Sequence, residues 1–320
     1  FGNKLVASPY IVWSAIFIVV PLVIMFYFAL TDQNGVFTLS NLSAIGQYKK
    51  AFGISILYAV ISTAVTLLLA YPMAYFMTKL KVSSQRMLFM IVMIPMWMNF
   101  LIRTYSWITI LANTGLINTF LKSVGLKPLK LINTPGAVIL GMVYDFIPYM
   151  ILPIYSVMSK LDKSLLEAAE DLGSNSFTKF KRVIFPLTRP GVISGITMVF
   201  VPSVSTFYIS QKLGGNKTML IGDTIEYFFN LGPAYYNVAS AISLVLMVMI
   251  LICLFIMNRF SDGRRGCVDV KILSRIYVAL IILFLYAPVA VMIIFSFNSS
   301  RSVWVMNGFS TRWYEGLLSN

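Results

Sequence analysis

The sequence predicts an all-α integral membrane protein with seven spanning helices. Of its 320 residues, 58% are hydrophobic and only 11% are charged, whereas a soluble domain carries about a quarter charged residues. The apolar residues come in long blocks, and about 20 of them suffice to cross a hydrocarbon core roughly 30 Å thick. The predicted spans are residues 11–30, 54–78, 87–107, 136–158, 191–210, 236–257 and 274–297.

Prolines occur inside most of these blocks. Membrane helices tolerate them because neighbouring helices can satisfy the backbone groups that a proline frees. The six blocks that contain Pro21, Pro72, Pro95, Pro148, Pro202 and Pro288 are therefore each still predicted to be one span.

The charge distribution predicts the orientation. The net charge is +14, from 25 Lys and Arg against 11 Asp and Glu. If the N-terminus is cytoplasmic, fifteen of those 25 basic residues lie on the inner side, at Lys4 and in the stretches 79–86, 160–189 and 259–275. Basic residues concentrate in cytoplasmic loops. We therefore expect a multi-pass protein of the inner, cytoplasmic membrane with an internal N-terminus, and no nucleic-acid partner.

The residues that carry most metal and nucleophilic chemistry are scarce. There is no histidine, and the two cysteines, Cys253 and Cys267, are not spaced as metal ligands. No GxxxxGK[ST] phosphate loop occurs. We expect a chain that is not an enzyme and binds no metal or cofactor itself.

An internal repeat divides the chain. Residues 20–30, with a proline near the start, precede a loop that contains Asn34-Gly35-Val36-Phe37-Thr38; residues 287–297 precede Asn307-Gly308-Phe309-Ser310 in the same way. Parallel repeats are common in transporters. The predicted organisation is a first unit of six spans (1–261), a basic cytoplasmic linker (262–270) and the start of a second unit (271–320), which has one span and an external segment.

The cytoplasmic loop at 160–190 is predicted to contain two short helices. Ser164 and Glu167 have the spacing of a capping box, two alanines follow, and Gly173 is a natural stop. A second helix, basic from Lys179 to Arg182, is predicted to end before Pro186. The first helix fits two interpretations: it lies on lipid headgroups, or its small alanine surface docks in a groove of another protein.

The same residues resemble a known signature. Glu167-Ala168-Ala169, then Gly173, then Val183-Ile184-Phe185-Pro186 is similar to the EAA loop of ABC-importer permeases, with Val183 and Phe185 replacing the usual isoleucine and leucine. This resemblance implies a six-helix transmembrane domain in which Glu167, Ala168, Ala169, Gly173 and Pro186 form a coupling helix. That helix would sit in a cleft of an ATPase subunit, which would hold ATP and magnesium.

The resemblance covers nearly the whole chain. The segments 99–105, 135–144 and 161–173 look like the first permease of spermidine/putrescine importers, and residues 271–320 look like the opening of its partner permease. It implies four partners: a dimer of ATP-binding subunits, a second permease, an extracytoplasmic polyamine-binding protein and the lipid bilayer.

Polar residues inside the spans indicate a substrate pathway. Asp145 is the one acidic residue well inside a predicted span, and Tyr149 lies one turn further on the same face. A carboxylate beside an aromatic ring suits a polycation. Asp145 could instead form a structural ion pair with Arg103 at a comparable depth. Further candidates for the pathway are Trp97, Asn99, Trp313 and the polar end of the fifth span (Ser203, Ser205, Thr206 and Tyr208).

Two other functions stay open from the residues alone. One is an ABC permease for another solute, such as iron or thiamine, whose pathway would not need acidic and aromatic residues together. The other is a transporter driven by an ion gradient, which usually shows several buried charges or broken helices at the midplane.

Overall fold

The computed structural model describes residues 12–162, 164–171, 173–215, 219–259, 273–299 and 308–311. Within these ranges six helices are long and apolar enough to cross a membrane, and one bent pair of helices adds a seventh span if the pair counts as one, in agreement with the seven predicted spans. The six single helices belong to the first, second, fourth, fifth, sixth and seventh spans. They lie within Val12–Ala29, Ser40–Thr78, Pro135–Met158, Phe180–Ser205, Pro233–Met257 and Ile276–Ser296.

The third span is broken, so the prediction of one continuous helix over 87–107 was wrong. A first arm, Val82–Trp97, and a second segment, Phe100–Ser123, meet at 91°; the regular part of that segment, Phe100–Leu111, is called the second arm below. Met98 and Asn99 both have extended ψ values, 144° and 125°. The Asn99 side chain accepts a hydrogen bond from the Leu101 backbone N–H at 2.8 Å. Asn99 thus starts a new helix inside an apolar block.

The fifth span also ends earlier than predicted. Its helix, Phe185–Ser205, stops three residues after Pro202, and Thr206 is extended. The chain resumes in a short helical segment that finishes as a π-helical turn, Ser210–Gly214. The prediction of one helix to residue 210 was therefore wrong, and the third and fifth spans are both interrupted.

The second, fourth and fifth spans form the centre of the bundle, with regular helices Lys49–Thr78, Pro135–Met158 and Phe185–Ser205. The fourth and fifth approach closely at two glycines one helical turn apart. A Cβ on Gly191 would lie 2.9 Å from the Pro153 carbonyl oxygen, and one on Gly195 would lie 2.6 Å from Met150 Sδ. Small residues spaced in this way let membrane helices pack backbone to backbone.

The seventh span packs on this bundle through tyrosine hydroxyls. Tyr277 donates to the Leu69 carbonyl at 2.6 Å, and Tyr286 donates to the Ile91 carbonyl at 2.9 Å. The first span packs instead against the sixth, Tyr236–Asn258, and most of its surface is exposed. Exposed apolar side chains on the spans are what a lipid-facing surface requires.

The segments after the first and seventh spans share one backbone geometry. Thr31 pairs with Phe37 in an isolated antiparallel bridge, and Asn298 pairs with Phe309 in another. The flanking hydrogen bonds correspond, and all lie between 2.7 and 2.9 Å: Thr38 N–H to Leu30 O and Asp32 N–H to Val36 O after the first span, and Ser310 N–H to Phe297 O and Ser299 N–H to Gly308 O after the seventh. The described residues of the two repeats thus form the same bridge with the same flanking hydrogen bonds.

Short helices form much of the connections. They are Ser40–Ser43 and Ala44–Tyr48 before the second span, Leu116–Ser123 after the third, and Ile221–Asn230 and Pro233–Tyr235 before the sixth.

Candidate substrate cavity and coupling helix

A cavity of about 320 Å³ lies where the two interrupted spans face the fourth. Non-helical backbone at membrane depth is tolerated only where protein buries it or where it lines a cavity. Asp145 stands near the middle of its helix, Pro135–Met158. The lining residues are Phe100, Arg103, Asp145, Phe146, Tyr149, Pro202, Ser205, Thr206, Phe207, Tyr208 and Ile209.

Asp145 and Arg103 form an ion pair in the cavity wall. Arg103 Nη1 lies 3.1 Å from Asp145 Oδ1, and each side chain is only 6% exposed. The guanidinium also lies 5.8 Å from the centre of the Tyr144 ring. Apart from this contact, Arg103 Nη1 and Asp145 Oδ1 have no hydrogen-bond partner within the described residues, and Arg103 Nε has none; buried polar groups that are incompletely satisfied require an explanation. The structural pair exists, and both of its members line the cavity.

Aromatic rings supply much of the remaining cavity surface. Tyr149 is 37% exposed, and its ring centre lies 6.4 Å from that of Phe146. Phe100, the first residue of the second arm, contacts Tyr208 edge to face with 5.4 Å between the ring centres. Sequence reasoning had not selected Phe100 or Phe146. An aromatic residue directly after an N-cap would have pointed to Phe100.

The other pathway candidates lie elsewhere. Trp97 ends the first arm with 86% of its surface exposed, and Asn99 caps the second arm; neither lines this cavity. Ser203 is buried and donates its hydroxyl hydrogen to the Val199 carbonyl at 2.7 Å. Trp313 lies outside the described residues. The fourth and fifth spans thus bring together Asp145, Tyr149, Ser205, Thr206 and Tyr208, whereas Trp97 and Asn99 stand apart from them.

A buried carboxylate anchors the segment that follows the fifth span. Asp223, in Ile221–Asn230, accepts hydrogen bonds from the Leu220 backbone N–H at 2.7 Å and from the Ser210 hydroxyl at 2.9 Å. The Ser55 hydroxyl accepts from the Ile221 backbone N–H at 2.8 Å. These bonds hold the π-helical turn directly after Ile209, which lines the cavity.

We expect the stability of this anchor to depend on pH. Burial raises the pKa of Asp223 to about 7, although the hydrogen bonds from Leu220 and Ser210 lower it in part. The folded chain therefore binds the Asp223 proton more tightly than the unfolded chain does. The resulting stabilisation of the folded chain is complete below about pH 4 and is lost as the pH rises through about 7. In Asp223→Asn that contribution is absent. The difference in melting temperature between the two proteins in detergent should change between pH 4.5 and 7.5; a constant difference would contradict this assignment.

The first short helix predicted in the cytoplasmic loop is present as Ser164–Asp171; its coupling role stays a prediction. The Asp162 carboxylate accepts from the Ser164 backbone N–H at 3.0 Å, a hydrogen bond that stabilises the start of this helix. The capping box of Ser164 and Glu167 stays a prediction. The side chain of Glu167 lies outside the described residues.

Gly173 ends this helix as predicted. Its φ is +76°, a left-handed conformation that costs glycine little. The Ser174 backbone N–H donates to the Ala169 carbonyl at 3.0 Å, the six-to-one bond of a Schellman cap. Leu165 and Ala168 are exposed and Ala169 is half-buried, so the small alanine surface is accessible.

The second short helix does not end before Pro186, which corrects that prediction. Ser176–Lys179 continues through a π-helical turn, Phe180–Ile184, into the fifth span. Pro186 lies in the first turn of the regular helix, where the missing N–H of proline does no harm.

Aromatic contacts attach this junction to the second span. The Tyr71 ring centre lies 5.7 Å from that of Phe180 and 6.2 Å from that of Phe185. The Tyr71 and Thr188 hydroxyls are 2.8 Å apart. The base of the coupling loop therefore packs directly against both the second and the fifth spans.

Comparison with known proteins agrees with this architecture. Residues 66–266 match the family described as "Binding-protein-dependent transport system inner membrane component". The spermidine/putrescine transport system permease protein PotB of Haemophilus influenzae is 36% identical over 81% of this chain and 94% of its own length. PotB of Escherichia coli K12 is 36% identical over 76% and 92%.

A solved structure shows the same fold. The crystal structure of a bacterial alginate ABC transporter in complex with an alginate pentasaccharide-bound periplasmic protein contains a chain that superimposes with a TM-score of 0.61. The identity is 18%, over 82% of this chain and 96% of that one. The chain therefore belongs to the binding-protein-dependent transport system inner membrane components, the multi-pass permeases of ABC importers.

Proposed function

We propose that this permease moves polyamines such as spermidine and putrescine into the cell. The observation that carries the proposal is the cavity between the interrupted spans. It combines one buried carboxylate, which is paired with Arg103, with several aromatic rings. Ammonium groups bind carboxylates by charge and ring faces by cation–π attraction. The PotB relatives, named as spermidine/putrescine permeases, support the same substrate class.

Arg103 limits how the carboxylate can act. Because the pair is close to neutral as a unit, the cavity offers a polycation little free negative charge. In this proposal an ammonium of the substrate approaches Asp145 from the cavity and shares it with Arg103, while Tyr149 and Phe146 contact the methylene chain. Asp145 and Tyr149 are the residues of this pathway, and Trp97, Asn99 and Trp313 stay candidates for its approaches.

The rest of the machinery is proposed to lie on partner subunits. The helix Ser164–Asp171 docks on a dimer of ATP-binding subunits that hold ATP and magnesium, and an extracytoplasmic binding protein delivers the substrate. The chain lies in the inner membrane with its N-terminus in the cytoplasm. The repeated hairpin after the seventh span supports assigning residues 271–320 to the start of a second permease unit, joined through the linker 262–270.

ATP hydrolysis by the reconstituted complex tests the substrate class. The chain, its ATP-binding subunits and its substrate-binding protein are placed in nanodiscs, and hydrolysis is measured with spermidine, putrescine, thiamine and ferric ion. We expect stimulation by the two polyamines only, because thiamine is a bulkier, heteroaromatic cation and ferric ion requires oxygen-rich ligands. Stimulation by thiamine or iron without stimulation by polyamines would support the assignment as an ABC permease and refute the polyamine assignment.

A further inference from the structure

A lysine of the chain itself occupies an aromatic site next to the cavity, with which the site shares Tyr208. Lys212 Nζ lies 5.7 Å from the centre of the Tyr105 ring and 5.6 Å from that of Tyr208. The two rings are tilted by 69° with their centres 6.3 Å apart. An ammonium within about 6 Å of a ring centre is attracted by the ring quadrupole, and here two rings act on one ammonium.

This aromatic site connects directly with the cavity. Tyr208 lines the cavity beside Phe100, whereas Tyr105 lies further along the second arm and is not among the lining residues. Tyr208 is therefore shared by the aromatic site and by the cavity that Asp145 lines.

Contacts of the neighbouring residues hold the backbone around Lys212 in place. The Leu213 carbonyl accepts from the Asn133 backbone N–H at 2.9 Å, and the Leu213 side chain packs on Gly141 of the fourth span. Gln211 donates to the Glu226 carboxylate. Lys212 itself is partly exposed, so its side chain can leave the rings while the backbone stays.

The chemistry of Lys212 matches that of the proposed substrate. A lysine side chain is a four-carbon chain that ends in a primary ammonium, and putrescine and spermidine each contain an aminobutyl arm of the same composition. We propose that Tyr105 and Tyr208 form an entry site for a primary alkylammonium, and that Lys212 occupies this site until the aminobutyl arm of the substrate displaces it. The inference rests on the proposed polyamine function and adds a second binding site to it.

Binding of labelled spermidine to the complex of permease and ATP-binding subunits, measured by equilibrium dialysis without the substrate-binding protein, tests this site. Lys212→Met keeps the length of the side chain and removes the competing ammonium, so the Kd should fall by about tenfold. Tyr208→Leu removes one ring and should raise the Kd by about tenfold, whereas Tyr208→Phe keeps the ring and should stay within about twofold. Lys122→Met, at an exposed position of Leu116–Ser123, is the matched control for the loss of one positive charge.

The outcomes separate this inference from the proposed function. If spermidine stimulates the wild-type ATPase but Lys212→Met binds spermidine as the wild type does, the entry site is refuted and the polyamine permease stands. Equal tightening by Lys122→Met and Lys212→Met would also refute it, because general electrostatics would then explain the gain. If spermidine neither binds nor stimulates the wild type, both proposals fail together.

Discussion

Replacing Ala169 by tryptophan should reduce spermidine-stimulated ATP hydrolysis and uptake to background, while the chain still folds and inserts. Ala169 is half-buried on the coupling helix, next to the exposed Ala168. A partner groove that receives an alanine surface has no room for an indole, because interfaces at their centre pack as densely as protein interiors. The fold should survive because the Ala169 carbonyl, which accepts from Ser174, is a backbone group that the substitution leaves in place.

Asp171→Trp is the matched control for this prediction. Asp171 is exposed at the end of the same helix, two residues and about 200° around the axis from Ala169. It should retain most of the stimulation, since its side chain points away from Ala169. Co-purification of the ATP-binding subunit with each variant reports docking independently of transport. Normal docking and stimulation in Ala169→Trp would refute the assignment of this helix as the coupling element, whereas equal losses in both variants would mean that any bulky residue on the loop disrupts it.

Hydropathy predicted the number of crossings but not their interruptions. The mean hydropathy of a predicted span depends only on its composition. Residues 98–107 are apolar enough to be included in the predicted third span. The break depends on two local features that an average hides: Pro95, which cannot donate a backbone hydrogen bond, and Asn99, which caps a new helix. A proline followed four residues later by an N-cap residue was the available signal. The fifth span ends at Ser205, shortly after Pro202. A proline therefore signals this interruption too, but no N-cap residue accompanies it.

Broken helices also proved a poor discriminator between classes of transporter. The sequence argument assigned them to carriers driven by ion gradients, yet the interrupted third and fifth spans occur in a chain that belongs to the ABC importers. The shared physical reason is that a binding cavity in a membrane needs polar backbone and side chains, and an interrupted helix exposes both.

The candidate site was predictable where the chemistry was local. Gly173 ends its helix because a left-handed residue is required there, and that requirement can be read from one position. The partner of Asp145 was anticipated only as an alternative, since the distance between two spans is set by packing. Lys212 was not selected at all, because its position over Tyr105 and Tyr208 depends on the π-helical turn and on the buried Asp223 that anchors it.

Removing either member of the Arg103–Asp145 pair alone should destabilise the protein strongly. Each side chain is 6% exposed, and a buried charge that loses its partner costs about 3–5 kcal/mol. Asp145→Leu and Arg103→Met should therefore each lower the free energy of unfolding in detergent by about that amount. The double variant should recover most of the loss, because two apolar side chains of similar size need no partner. Two single variants and a double variant that are equally unstable would show that the charges do not interact.

The double variant also distinguishes a structural pair from a substrate pathway. If Asp145 only compensates Arg103, a folded chain with both charges removed should transport spermidine normally. We expect instead that it folds, docks its ATP-binding subunits and hydrolyses ATP at the basal rate, but no longer responds to spermidine, because the one carboxylate among the described lining residues is gone. Normal spermidine uptake by the folded double variant would restrict Asp145 to a structural role and leave the aromatic rings as the recognition surface.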